Sequence, residues 1–109
     1  MLFNKVNSDI GTHLEIIKMK ILEESPTLCV LNESNVKKTD NIENEFKEYD
    51  IINKFENNTD FARVTIMVKK NTIKYERVKE LEDDNIASIW LKIKISKKRN
   101  LFFMGAYRQ

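Results

Sequence analysis

The sequence predicts an α+β fold: one mixed β-sheet of about five to six strands with one long helix on one face. Three observations carry this. Apolar residues between Ile10 and Glu24 recur at helical spacing. The second half of the chain is a series of β-branched or alternating segments separated by hairpin-length polar turns. The 109 residues contain only two glycines and one proline, so no linker or repeat divides them. The length suits a single domain, residues 1–109, with one core.

The helix is read from apolar positions 10, 14, 17, 21 and 22, with Ile16 and Met19 widening the stripe. Ser8 or Asp9 can cap its first N–H groups, and Thr12 with Glu15 forms a candidate capping box. Ser25-Pro26 stops it, because the residue before proline is pushed out of the helical region. Leu28 to Leu31 is an uninterrupted apolar strand, the pattern of a strand covered on both faces. A polar connection from Asn35 to Asn44 follows, with a short helical turn around Glu43 to Glu48, and Tyr49 to Phe55 is a second strand. Asn57-Asn58-Thr59-Asp60 is a turn. The remaining strands are Ala62 to Val68, Ile73 to Val78, Ile86 to Ile95 and Leu101 to Tyr107, joined by KKNT, KELEDDN and SKKRN. In the longest of these, Ala87, Ile89, Leu91, Ile93 and Ile95 share one face, and Ile86, Ser88, Trp90, Lys92 and Lys94 the other. Several strands are apolar on both sides, more than one helix and some loops can cover.

Composition excludes several classes. Hydrophobic residues are 41% and charged residues 33%, as in ordinary globular chains, and a net charge of +2 with both signs dense selects no partner. The single cysteine, Cys29, sits in an apolar run and reads as a small buried hydrophobe, so no disulfide framework exists and a reducing compartment fits. No cleavable signal and no apolar run near the roughly 18 residues of a membrane span is present. A soluble, intracellular protein with no membrane partner and no evident obligate protein partner is expected. No phosphate loop, dinucleotide fingerprint, serine elbow or cysteine–histidine cluster occurs.

Chemistry-bearing residues collect at a few places. Glu33 ends the apolar strand between amide side chains, where α/β proteins place ligands. It reads as a solvated turn residue or as a ligand for a hard cation such as Mg2+. His13, in the first turn of the helix, reads as a surface or staple residue more readily than as a base. Lys69, Lys70, Lys97, Lys98 and Arg99 occupy hairpin ends, as edge protection or as a basic rim for a phosphate backbone. Trp90 reads as part-buried core. Tyr107 and Arg108 end the last strand, and a phenol and a guanidinium there can hydrogen-bond a phosphate.

Taken in order, these segments resemble a known superfamily. An asparagine-bearing leader (FNKVNSDIG), a helix, the strand P-x-L-x-x-L-N-E-S-N, then A-R-V-T-I-M-V-K-K, S-I-W-L-K-I and F-M-G-A-Y-R-Q are similar to the endonuclease/exonuclease/phosphatase (DNase I-like) superfamily. The likeness is greatest to the endonuclease domains of non-LTR retrotransposons, and it covers nearly the whole chain. It implies half of a four-layer α-β-β-α sandwich and Mg2+-dependent hydrolysis of DNA phosphodiesters in the intact parent. Glu33 would be the metal ligand, Asn7 or Asn4 would assist, and Tyr107 would reach the scissile phosphate. The family's G-D-x-N and S-D-H segments follow the Y-R position, and the sequence stops at Gln109. The resemblance therefore implies the N-terminal half of a domain, inactive alone, with the inner face of its sheet uncovered. The other reading is a small non-catalytic α+β module that binds nucleic acid or protein.

Overall fold

Alternation along the sequence divides the strands into two kinds, and the two kinds form two sheets. The computed structural model describes residues 3–7, 10–32, 37, 42–55, 61–83 and 85–107. In chain order it holds β1 (Phe3–Asn7), α1 (Ile10–Glu24), β2 (Leu28–Asn32), a 3-10 turn (Ile42–Asn44), β3 (Tyr49–Phe55), β4 (Ala62–Lys69), β5 (Lys74–Arg77), a second 3-10 turn (Lys79–Leu81), β6 (Ala87–Ser96) and β7 (Arg99–Tyr107). One sheet is four-stranded in the order β1-β2-β4-β3, and the other is three-stranded in the order β5-β6-β7. Within the first, β1 lies parallel to β2, while β2 with β4 and β4 with β3 are antiparallel. The α+β class is as expected, and the single sheet is corrected to two. The residues flanking α1 at positions 8 and 9, most of the connection from 33 to 41, and the 57–60 turn lie outside the described residues.

The division has a physical cause. β2 and β4 are apolar on both sides, so both of their faces must be covered. On one side Cys29, Leu31, Ala62 and Met67 pack with Ile17 and Ile21 of α1 and with Phe46 and Tyr49. On the other, Val30, Val64, Ile66 and Val68 pack with Ile89, Leu91 and Ile93 of β6. β5 and β6 alternate, so they have one apolar face to hide. Adding them to the edge of the first sheet would leave that face in water, whereas folding the β5-β6-β7 meander across β2 and β4 buries both sets at once. Each such aliphatic side chain contributes about 1.5–3 kcal/mol when fully buried. The inner face that the sequence reading left uncovered is thus closed by the chain's own second sheet.

Helix α1 buries less than its stripe suggests. Ile17 and Ile21 are buried, but Ile16, Met19 and Leu22 point outward, Leu22 with 79% of its surface exposed. At about 100° per residue, a face centred on Ile17 and Ile21 turns these three away from the sheet. The helix ends at Ser25, which takes a left-handed conformation (φ 44°) and donates its N–H to the Ile21 carbonyl at 2.7 Å. The Tyr49 hydroxyl donates to the Pro26 carbonyl at 2.6 Å and holds the chain as it enters β2. The KKNT turn forms as expected, with Asn71 left-handed (φ 63°) and the Thr72 hydroxyl donating to the Lys69 carbonyl at 2.5 Å. Ile95 departs from its predicted core face, 59% exposed, because β6 and β7 run past the first sheet there.

Two polar contacts fix the direction of the second sheet over the first. The Tyr75 hydroxyl donates to Asp50 Oδ2 at 2.9 Å, and Arg77 Nη1 donates to the Asn53 carbonyl at 3.3 Å. β5 therefore runs alongside β3 in the same direction. Two antiparallel steps in each sheet then make β7 run the same way as β2 and β1. The clip behind these contacts is Glu82, in the connection the sequence reading took as a plain charged loop. Its carboxylate is 3% exposed and accepts from Arg77 Nε and Nη2, each at 2.9 Å, from Lys54 Nζ at 3.4 Å and from the Trp90 N–H at 3.3 Å. One carboxylate thus ties β3, β5 and β6 together. Burial pushes its pKa up, but the Arg77 and Trp90 hydrogen bonds and the charges of Arg77 and Lys54 outweigh this and hold it below the ordinary 4.5.

Where β7 crosses the first sheet, a Cβ on Gly105 would lie 3.1 Å from Ile66 Cδ1 and 3.3 Å from Val30 Cγ1. Only a glycine fits this approach without movement of buried neighbours. Gly105→Val is expected to lower stability by about 1–3 kcal/mol through overpacking, read as a lower urea midpoint at constant slope. Glu82→Ala is expected to cost about 2–3 kcal/mol, because it strips a buried carboxylate from cations that stay partly wet. The pH dependence follows from the lowered pKa. The Glu82 contribution is full above the unfolded chain's value and is lost as pH falls through the lower folded value. The stability gap between the wild type and Glu82→Gln should therefore close below about pH 4. A gap that stays constant from neutral to strongly acidic pH would contradict this assignment.

Candidate functional site

Strands β1, β2 and β7 end together, and their ends define one edge of the sandwich. In the parallel pairing of β1 and β2, Asn7 lies opposite Asn32, while Asn4 lies opposite Cys29, three residues back from the edge. β7 crosses β2 with Gly105 against Val30. Both strands then advance two residues, about 6–7 Å, in the same direction, to Tyr107 and Asn32. The backbone of Tyr107 is paired with Ala87 of β6. The backbone positions of Asn7, Asn32 and Tyr107 thus share one edge, and Asn7 is the asparagine of the leader that reaches it. Glu33 follows Asn32 directly in the chain, and Glu33, Ser34, Asn35 and Arg108 lie outside the described residues.

Asn32 is the feature of this edge that the sequence reading did not single out. Alternation puts it on the side of Val30, in the layer between the sheets, and it is 7% exposed. Its Oδ1 is buried without a hydrogen-bond partner. An unmatched buried acceptor costs about 1–3 kcal/mol, so its retention at a strand end calls for a reason. A neutral amide oxygen next to a carboxylate-bearing position suits a hard divalent cation, which takes oxygen ligands of both kinds. The residues here therefore fit Mg2+. Among the described residues, no group of three His, Cys, Asp or Glu is placed to hold a metal elsewhere. The signal was available: an amide at an inward-facing position, after four strand residues that are otherwise apolar.

The other candidates are not part of this edge. Cys29 faces α1, fully buried, and burial, then the charge of Glu24, push its thiol up to about 12. A thiol in that state is packing rather than a nucleophile. His13 lies in the first turn of α1. Lys69 and Lys70 follow β4, and Lys97, Lys98 and Arg99 join β6 to β7. Because β4 and β6 run opposite to β2, both hairpin tips are at the far end of the sandwich from Asn32. The basic tips are no rim around the β1-β2-β7 edge.

No helix of the described residues is long and apolar enough to cross a membrane. No family model matches the sequence, and no curated protein matches it. Among solved structures, the endonuclease domain of TRAS1, a telomere-specific non-LTR retrotransposon, superposes with a TM-score of 0.65 over 97% of this chain and 43% of that chain, at 10% identity. At that identity the likeness carries the fold and not the residues. The chain has the fold of part of a retrotransposon endonuclease domain and spans 43% of the length of that solved chain.

Proposed function

We propose that this chain is the part of a Mg2+-dependent retroelement endonuclease domain that carries the metal-holding edge, with hydrolysis of DNA phosphodiesters belonging to a longer parent. The observation that carries the reading is the buried, unpartnered Asn32 Oδ1 at the edge shared by Asn7, Tyr107 and the chain entering Glu33. The likeness to the TRAS1 endonuclease fold supports it. Glu33 supplies the negative charge for the cation, and Asn32 a neutral oxygen. Asn7, one strand over, is the asparagine in place to assist. When bound, the metal supplies Lewis-acid stabilisation of a phosphoryl oxygen and acidifies a water. Tyr107 donates its O–H to a non-bridging phosphate oxygen and so orients the substrate. The rigid layer between the sheets keeps these groups from shifting as charge develops.

The second reading, a non-catalytic α+β binding module, is favoured by the closed core between the sheets. That core makes a cooperative, monodisperse monomer the expectation under both readings, so thermal melting does not separate them. Metal and activity do. With Mg2+ the 109-residue chain is expected to nick plasmid DNA no faster than buffer; robust nicking abolished by Glu33→Ala would overturn the assignment of activity to a longer parent. Mn2+, titrated to about the millimolar range typical of weak sites, should broaden the backbone amide signals of Asn7 and Asn32 in the wild type and not in Glu33→Gln. Broadening that survives Glu33→Gln, or none at all, favours the binding module.

A further inference from the structure

The outer face of the β5-β6-β7 sheet carries an arrangement that the edge chemistry does not use. Its cross-strand rows are fixed by register: Lys74, Lys94 and Asn100 form one, Glu76, Lys92 and Phe102 the next, and Trp90 with Met104 a third. The first two rows and Lys97 line an open groove of about 390 Å³. Four ammonium groups therefore face one carboxylate, and that carboxylate, Glu76, is 3.8 Å from Lys92. Lys74 stands directly opposite Lys94. Like charges in that position destabilise a sheet unless an anion lies between them. Beside the lysines, Phe102 is 52% exposed and Met104 48%. An exposed ring in the middle of a flat basic face is a place for a nucleobase to stack.

From this juxtaposition we propose that the outer face of the second sheet binds single-stranded nucleic acid, its phosphates held by Lys74, Lys92, Lys94 and Lys97 and a base stacked on Phe102. Charge complementarity selects a polyanion, and the exposed ring selects one with free base faces; a duplex hides its base faces inside the stack. The groove lies toward the hairpin end of the sandwich and on its outer surface, away from the Asn7, Asn32 and Tyr107 edge. Binding here is independent of any metal chemistry there.

Fluorescence anisotropy of a labelled oligothymidylate with the 109-residue chain tests this. Affinity should fall with salt at a log–log slope of about −3, the value for four lysines on a single strand. Lys92→Gln/Lys94→Gln should roughly halve that slope, and Phe102→Ala should weaken binding about ten-fold. Lys69→Gln/Lys70→Gln and Glu33→Ala should leave binding unchanged, the latter separating this face from the proposed metal edge. Trp90, the chain's sole tryptophan, lies in the adjacent row, so its emission reads the face in unmutated protein should a variant fail to fold. Oligothymidylate should shift that emission; polyglutamate and duplex of equal charge should neither shift it nor displace the strand. The proposal fails if Trp90 emission stays constant while anisotropy saturates, if polyglutamate or duplex competes equally, or if the Lys69/Lys70 variant loses as much affinity as the Lys92/Lys94 variant. It fails also if the face is occupied by a second copy, seen as dimerisation that Phe102→Ala abolishes with no oligonucleotide bound.

Discussion

Ile66 meets β7 at the point where the two sheets come closest. It sits on β4, fully buried, and its side chain approaches Gly105 so nearly that a Cβ there would lie 3.1 Å from it. On the opposite face of the same strand, its neighbour Met67 is buried against the helix layer. A strand hidden on both sides can be satisfied only if something packs on each, and here the helix takes one side and the three-stranded sheet the other. The order of layers, the crossing of β7 over β2 and the position of every strand end follow from that requirement.

The functional edge is one of those consequences. Nothing local brings Asn7, Asn32 and Tyr107 together, since they come from three strands in two sheets. Parallel pairing aligns the first two, and the seat of Gly105 on Val30 and Ile66 aligns the third. Glu82 keeps that alignment from sliding, because its carboxylate holds Arg77, Lys54 and the Trp90 amide at the opposite margin of the sheets. The layering that brings three strand ends together also sends the basic hairpins to the other end. A reading that placed metal and phosphate contacts around one rim is replaced by two surfaces with separate chemistry.

Much of this was legible in the sequence, for identifiable reasons. The helix and the six strands from Leu28 onward carry strong local signals, and β3 runs from Tyr49 to Phe55 as read. The α+β class and the likeness to a retrotransposon endonuclease fold were also legible, from the order of segments. What local pattern does not encode is partnership. Ile89, Leu91 and Ile93 announce a buried face without saying against what, so the split into two sheets was missed. Leu22 and Ile16 are apolar and helical, yet only the orientation of α1 tells which of its residues face the sheet. Glu82 looked like one more charge in KELEDDN because Arg77 and Lys54 come to it from other strands. Asn32 was quoted only as a neighbour of Glu33, for its burial depends on a layer contributed by residues far along the chain.

The central claim is that β2, β4 and β6 share one core that opens as a unit. Native-state hydrogen exchange measures this directly. The amides of Val30, Ile66 and Leu91 should exchange only through global unfolding, with the same opening free energy and the same denaturant dependence. Exchange of Leu91 at a clearly lower free energy than Ile66 would mean that the second sheet lifts off by itself, and would contradict the account.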